Sequence, residues 1–369
     1  MMTKAFDARE LSTSELAGLL PSKPHNPLAI RMNGDGGKAP SKKLSLNPDE
    51  ELLVNALSQP VQRVDLQYTI GERHYLEANL AWSGESETIA FLARRDKKWG
   101  LSQRQPNEII TSLSQVIGLN APMKLLLVGG RFSSMAGLAC LSLADAYRRE
   151  YYQSALEFRP PSSSFTLEEI AAWFSPPKGW DPRWISLFLA KILPDEGEPI
   201  EDEVLETALG ELVQAGFLQS LEADGKDPQL FTLSAGGERF CEGMLTQASK
   251  VAIRHGRLLE GDQVGYEILM MIRDADALWF LDVGSQEAML TTLDHQAALG
   301  ILEQIFMAPE SHSEGAQTLS MADEEASTIM LGERDRVIAF CPECGSPVDG
   351  QNRFCTNCGA KLTKNSGGE

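Results

Sequence analysis

Hydrophobic and polar positions along this chain change period several times. Val64-Asp65-Leu66-Gln67-Tyr68-Thr69-Ile70 alternates, and Tyr75 to Trp82 and Thr88 to Ala93 are apolar and β-branched runs, so three antiparallel strands are expected from about Gln62. Pro106 and Asn107 then introduce Glu108 to Ile117, where Ile109, Ile110, Leu113, Val116 and Ile117 share one helical face. A helix over that stretch closes the meander. Before it, residues 21 to 48 are rich in Pro and Gly and read as a loop.

A later stretch repeats the plan. Ile89 to Ile117 aligns without gaps on Leu278 to Phe306, so that Phe91, Leu92, Leu101, Leu113 and Gln115 meet Phe280, Leu281, Leu290, Leu302 and Gln304. Two further resemblances keep the same order, Glu15-Leu16-Ala17 with Glu169-Ile170-Ala171 and Leu57-Ser58-Gln59 with Leu245-Thr246-Gln247. Shared order is what internal duplication predicts, although any strand-then-helix pattern gives similar apolar spacing. If the repeat is real, the two parts can share one sheet.

Between these parts, Leu125-Leu126-Leu127-Val128-Gly129-Gly130 runs into a small-residue helix over Met135 to Tyr152. No lysine follows the glycines and Gly-x-Gly-x-x-Gly is absent, so the stretch is read as a tight turn into a packed helix rather than a phosphate loop. Cys140 on that helix is a small core residue.

Residues 165 to 248 predict short helices over Phe165 to Phe174 and Pro182 to Leu193. A third helix begins near Pro199, with Val204, Leu205, Ala208, Leu209 and Leu212 inward and Gly216 as its left-handed stop. Phe217 to Leu221 and Leu230 to Leu233 form a hairpin across a turn at Ala223 to Asp227, and another helix starts at Ser234. The phrase Ala208-Leu209-x-x-Leu212-x-x-x-Gly216-Phe217-Leu218, followed by Phe231-Thr232-Leu233-Ser234, resembles the third helix and wing of a winged helix-turn-helix domain.

Charge then limits what such a domain can bind. The chain carries 33 basic and 52 acidic residues, a net charge of −19. Between Ser163 and Ala248 there are 16 acidic and 5 basic residues. The third helix presents Glu201, Asp202, Glu206, Glu211 and Gln214 where DNA-binding relatives present cations, so a protein partner is expected and nucleic acid is not.

Near the C-terminus stand Cys341-Pro342-Glu343-Cys344-Gly345 and, after a ten-residue interval between the inner thiols, Cys355-Thr356-Asn357-Cys358-Gly359. Two residues between thiols make a knuckle, and two knuckles complete a tetrahedron around Zn²⁺. The pattern closely resembles the C-terminal zinc-ribbon family, matched through Leu362. Cys341, Cys344, Cys355 and Cys358 are the expected ligands, and four thiolates leave no open position for a hydrolytic water. The same thiolates accept iron, which is the chemical alternative.

No other motif points to catalysis. His25, His74, His255, His295 and His312 are scattered, with no His-x-x-x-His spacing, and there is no Gly-x-Ser-x-Gly. The N-terminus lacks the apolar run of a signal peptide, and the longest uncharged apolar stretch, Phe132 to Ala144, has 13 residues, too short to span a bilayer. These readings define an α+β protein with two related β-meander-plus-helix units flanking a winged-helix domain and a tethered zinc ribbon. The boundaries are 1–120, 121–162, 163–249 and 250–307, an acidic flexible linker at 308–338, the ribbon at 339–363 and a tail at 364–369. The expected function is a non-enzymatic cytoplasmic adaptor or scaffold, and the alternative is a winged-helix/zinc-ribbon transcription regulator. The duplicated meander with short opening helices also resembles the cytoplasmic substrate chaperones of type VII secretion, which implies a pseudo-two-fold body holding helical cargo. That family lacks the ribbon.

Overall fold

The structure is a computed structural model. It describes residues 8–20, 26–30, 44–71, 74–83, 89–173, 181–193, 201–221, 229–259, 264–284 and 286–307, and the backbone of 339–340 and 347–348. The four ribbon cysteines, the expected linker at 308–338, the tail at 364–369, most of the 21–48 loop and the hairpin turn at Ala223 to Asp227 lie outside the described residues. The chain divides into two compact units, Met1–Ser313 and Glu314–Glu369.

The first unit is built on one ten-stranded antiparallel sheet. Its first half contains β1 (Arg9–Ser12), α1 (Thr13–Leu19), α2 (Pro48–Ser58), β2 (Gln62–Ile70), β3 (His74–Trp82), β4 (Ile89–Arg95), β5 (Lys98–Arg104) and α3 (Pro106–Val116). The second half opens with β6 (Gly130–Ser133) and α4 (Ser134–Leu156). After an inserted piece it continues with α8 (Ala235–Leu245), β10 (Ser249–Leu258), β11 (Val264–Arg273), β12 (Leu278–Val283), β13 (Glu287–Leu293) and α9 (His295–Phe306). The inserted piece comprises β7 (Ser164–Thr166), α5 (Leu167–Ala171), α6 (Ile185–Ala190), α7 (Asp202–Gln214), β8 (Leu218–Leu221) and β9 (Leu230–Leu233). The order across the large sheet is β1-β5-β4-β3-β2-β10-β11-β12-β13-β6, which reads alike from either edge inward.

Each meander has four strands where three were expected. The missed strand β5, Lys-Trp-Gly-Leu-Ser-Gln-Arg, has too few β-branched residues to announce itself, and its pairing with β4 supplies what its propensity lacks. Phe91 and Phe280 therefore lie on third strands, β4 and β12, with a fourth strand following each. Glu15 and Glu169 do not occupy matching places, because α1 follows a strand of the large sheet and α5 follows a strand of the small one.

Local sequence sets the helix starts. Ser12 with Glu15, Asn47 with Glu50 and Thr166 with Glu169 form reciprocal capping boxes, and Ser133 and Asp294 cap α4 and α9. Strand register then sorts the faces. Ala81 opposite Ala90, and Gln67 opposite Ala252, place α2 and α4 on one face, with Leu53 and Leu57 of α2 clustered with Leu92 and Leu101 of the sheet, and Met270, Leu281 and Leu290 under α4. On the opposite face α3 and α9 pack on each other, and Phe306 stacks on Trp82 with ring centroids 6.4 Å apart.

Within the sheet the two halves meet edge to edge, where β2 and β10 pair from Ser249 opposite Ile70 to Arg257 opposite Gln62. On the α2/α4 face this seam is polar. The Asp65 carboxylate accepts from Arg63 Nε at 2.7 Å and Arg254 Nε at 2.8 Å, and the Arg63 guanidinium also reaches Asn79 and the carbonyls of Leu28 and Ala29. Leu28 lies across the strand at Gly256, where an added Cβ would come within 2.8 Å of the Leu28 side chain. Lys191, just past α6, donates to Glu77 at 2.5 Å and Tyr75 at 3.1 Å, so the inserted piece is pinned to the first half.

Candidate functional site

Of the four cysteines predicted as zinc ligands, two lie in the chain between two short strands. In the second unit β14 (Ala339–Phe340) pairs antiparallel with β15 (Pro347–Val348), Phe340 opposite Pro347, and the chain between them carries Cys341 and Cys344. A hairpin whose connection bears the first thiol pair is the arrangement a knuckle requires. The donor set fits zinc: four soft thiolates in two Cys-x-x-Cys-Gly pairs within 18 residues. A segment this short cannot bury a sufficient core, so bound metal would supply most of its folding free energy.

The inserted piece forms a small three-stranded sheet in the order β7-β9-β8 with α5, α6 and α7 beside it. Leu205, Ala208, Leu209 and Leu212 of α7 are buried toward α4, and Gly216 stops the helix at φ 77°. The opposite side of α7 faces solvent with Glu201, Asp202, Glu203, Glu206 and Gln214 exposed. Glu211 differs from its neighbours, because its carboxylate accepts from the Ser133 backbone N–H at 2.7 Å and ties α7 to the edge strand β6. Acids at Asp202 and Glu203 also lie in the helix's first turn, where the dipole favours them.

Sequence reasoning missed two buried polar centres. Asp145 of α4 is fully buried and accepts from the Ile185 N–H at 2.9 Å, the Ser186 N–H at 2.8 Å and the Ser186 hydroxyl at 2.6 Å. Burial pushes its pKa up, against these three donors. It holds the start of α6 on α4, and a lone Asp among alanines and leucines was the available signal.

The second centre lies at the seam on the α3/α9 face. His255 Nε2 faces two donors, Gln62 Nε2 at 2.6 Å and Arg257 Nε at 3.2 Å, so the ring is neutral with its proton on Nδ1, 3.3 Å from Glu267. Burial, the largest influence, lowers its pKa; the Glu267 hydrogen bond opposes and Arg257 reinforces the shift. Gln62 also donates to the Ile305 carbonyl at 2.9 Å, so both halves and α9 meet at this imidazole. Nearby on β12, burial and then Glu267 raise the Asp282 pKa from 3.8 to about 6, against Arg131.

These shifts have opposite signs. Asp282 binds a proton more tightly when folded, so the stability it contributes is full below pH 3.8 and lost as pH rises through about 6. Asp282→Asn is expected to raise folding stability by about 1–3 kcal/mol at pH 8 and to change it little at pH 3.5. Denaturant midpoints at both pH values check this, and equal gains at both would show that the carboxylate's charge is not the cause. His255 works the other way: its folded pKa lies below 6.5, so its contribution is full above that value and lost as pH falls toward the folded pKa.

Among the described residues no group of three or more His, Cys, Asp or Glu could hold a metal ion, and no described helix is long and apolar enough to cross a membrane. Residues 340–362 match the family model of a zinc-ribbon domain, which spans all four predicted ligands. No curated protein matches the chain. Among solved structures it is similar to the type VII secretion system chaperone EspG5 of Mycobacterium tuberculosis, solved in complex with the PE25–PPE41 dimer. That likeness has a TM-score of 0.39 and 8% identity and covers 80% of this chain and 95% of the other, too distant to define a shared fold.

Proposed function

We propose that this chain is a non-enzymatic cytoplasmic adaptor that works through protein contacts, with a structural zinc ribbon as a separate module. The observation that carries this reading is the exposed acidic side of α7. Read as the third helix of a winged-helix domain, it offers Glu201, Asp202, Glu203 and Glu206 to solvent, where binding a duplex would need cations to displace phosphate counterions. The regulator alternative would require basic residues there, and the sequence between β8 and β9 contains Glu222, Asp224 and Asp227 against Lys226. The matching element order of the two sheet halves supports an internally duplicated scaffold. If the adaptor is a secretion chaperone, its partner is a helical export substrate.

The test is a fluorescence-anisotropy titration of the full chain with random duplex DNA at low salt, the condition most favourable to binding. No submicromolar binding is expected. Submicromolar binding that weakens steeply with added salt would replace the adaptor with the transcription regulator.

A further inference from the structure

The helix α4 runs past the body it packs on. Positions 136 to 148 are largely buried, but its last two turns emerge, leaving Tyr151 40%, Tyr152 44% and Leu156 82% exposed. Phe158, two residues beyond the helix, is 97% exposed. Tyr152 and Leu156 are one turn apart and share a helix face, and the Tyr151 and Tyr152 rings meet edge to face at 5.9 Å.

Phe158 also occupies an expensive conformation. The Arg159 N–H bonds to the Ser154 carbonyl at 3.0 Å and the Phe158 N–H to the Ala155 carbonyl at 3.4 Å, the paired bonds of a Schellman stop. The left-handed residue of that stop is Phe158, at φ 55°, where glycine is the unstrained choice. Arg159 holds the turn: its guanidinium pairs with the Glu150 carboxylate and its Nε donates to Glu157 at 2.6 Å, while Gln153 donates to Glu157 at 2.9 Å. A bulky side chain is thus fixed in strained backbone, in full contact with water and without an intramolecular packing partner that would offset the cost.

We propose that Phe158, with Leu156 and Tyr152, is a preorganised anchor that inserts into an apolar, uncharged pocket on a partner protein. This deepens the adaptor reading by naming its contact surface, and rests on that reading. Around the anchor Arg159 pairs with both Glu150 and Glu157, which leaves one net negative charge among the three, so the rim calls for a counterpart without acidic groups. With Tyr151 beside them, these side chains expose about 500 Å² together, within the size of functional patches on monomers and below the roughly 800 Å² per partner of a stable interface. A second copy meeting through this patch alone would be under-supported, whereas a deep pocket makes one aromatic ring a hot spot. The net charge of −19 opposes anionic membranes as the counterpart.

The test places the photo-crosslinking residue p-benzoylphenylalanine at position 158 of the full chain in its native cell, with parallel placements at Glu206 on α7 and at Leu52 as a control, 66% exposed on α2. Position 158 is expected to give one discrete protein adduct whose crosslink maps by mass spectrometry to an apolar pocket. With that protein purified, Phe158→Gly and Leu156→Ser should each weaken binding at least tenfold by calorimetry. The Phe158→Gly melting temperature should be unchanged or raised by up to about 3 °C, since glycine relieves the left-handed strain. Adducts at Glu206 but not 158 would overturn the anchor and leave the adaptor standing. No protein adduct at either position would remove both. An adduct to lipid, Phe158-dependent sedimentation with phosphatidylcholine vesicles, or an adduct to a second copy of this chain would each overturn the proposed partner, as would unweakened binding by Phe158→Gly.

Discussion

Cys344→Ser is expected to lose the single zinc equivalent of the purified chain and to unfold the ribbon, while the melting of the body is unchanged. In modules of this size zinc supplies about 10–16 kcal/mol of apparent binding free energy, and a chain of 23 matched residues has no core to replace it. Serine cannot replace a thiolate, and three remaining ligands leave a position for water, so affinity falls and the hairpin carrying the first knuckle loses its clamp. Elemental analysis and circular-dichroism melting separate the two effects. Stoichiometric zinc in the variant would mean that Cys344 is not a ligand, and iron in the purified wild-type chain would select the rubredoxin-like alternative.

Trp279→Ala is expected to destabilise the body by about 3–5 kcal/mol, the range for removing a fully buried tryptophan. Trp279 is 1% exposed, meets the Phe240 ring edge to face at 5.1 Å and donates from its indole nitrogen to Asp274 at 2.8 Å. Asp274 is itself 2% exposed and turns the chain between β11 and β12 by accepting from the Asp276 and Ala277 N–H groups, each at 2.6 Å. Truncation therefore opens a cavity under α8 and removes one donor from a buried carboxylate. Trp279→Phe keeps a six-membered aromatic ring while losing the donor and a smaller part of the packing, so it should cost less, about 1–2 kcal/mol. Chemical denaturation of both variants checks the ordering, and equal losses would show that the hydrogen bond, not the packing, dominates.

The alternation of Val64 to Ile70 and the one-sided apolar spacing of Ile109 to Ile117 are local properties, so β2 and α3 could be read from sequence. The β8–β9 hairpin and α7 were equally accessible, because Gly216 and the acids at 201 to 203 mark the helix ends, whereas Ser164 to Thr166, at the expected helix start, pairs with β9 as β7. What could not be read was decided at a distance. Strand β5 exists because β4 and β1 lie on either side of it, and β6 because β13 offers an edge. Arg63, Asp65 and Gln67 alternate with apolar neighbours and look like a solvent face. They lie instead at a buried seam, with Arg254 arriving from 189 residues away. The zinc-ribbon module was legible because two-residue thiol spacing is local chemistry, whereas Phe158 carries no motif and stands out only through its backbone angle and exposure.

The β2–β10 seam also bears on how the chain assembles. Each four-strand meander closes through neighbours in sequence, but Gln62 must find Arg257 across nearly two hundred residues, including the whole inserted piece. Long-range pairing makes loop closure most costly there and places the seam among the slow steps of folding. A chain with one half formed would display a nine- or ten-residue open edge, and at high concentration that edge can accept the complementary strand of another molecule. Strand exchange at β2 and β10 is thus the route by which this architecture would misassemble into swapped dimers, and dilute refolding the condition that favours the monomer.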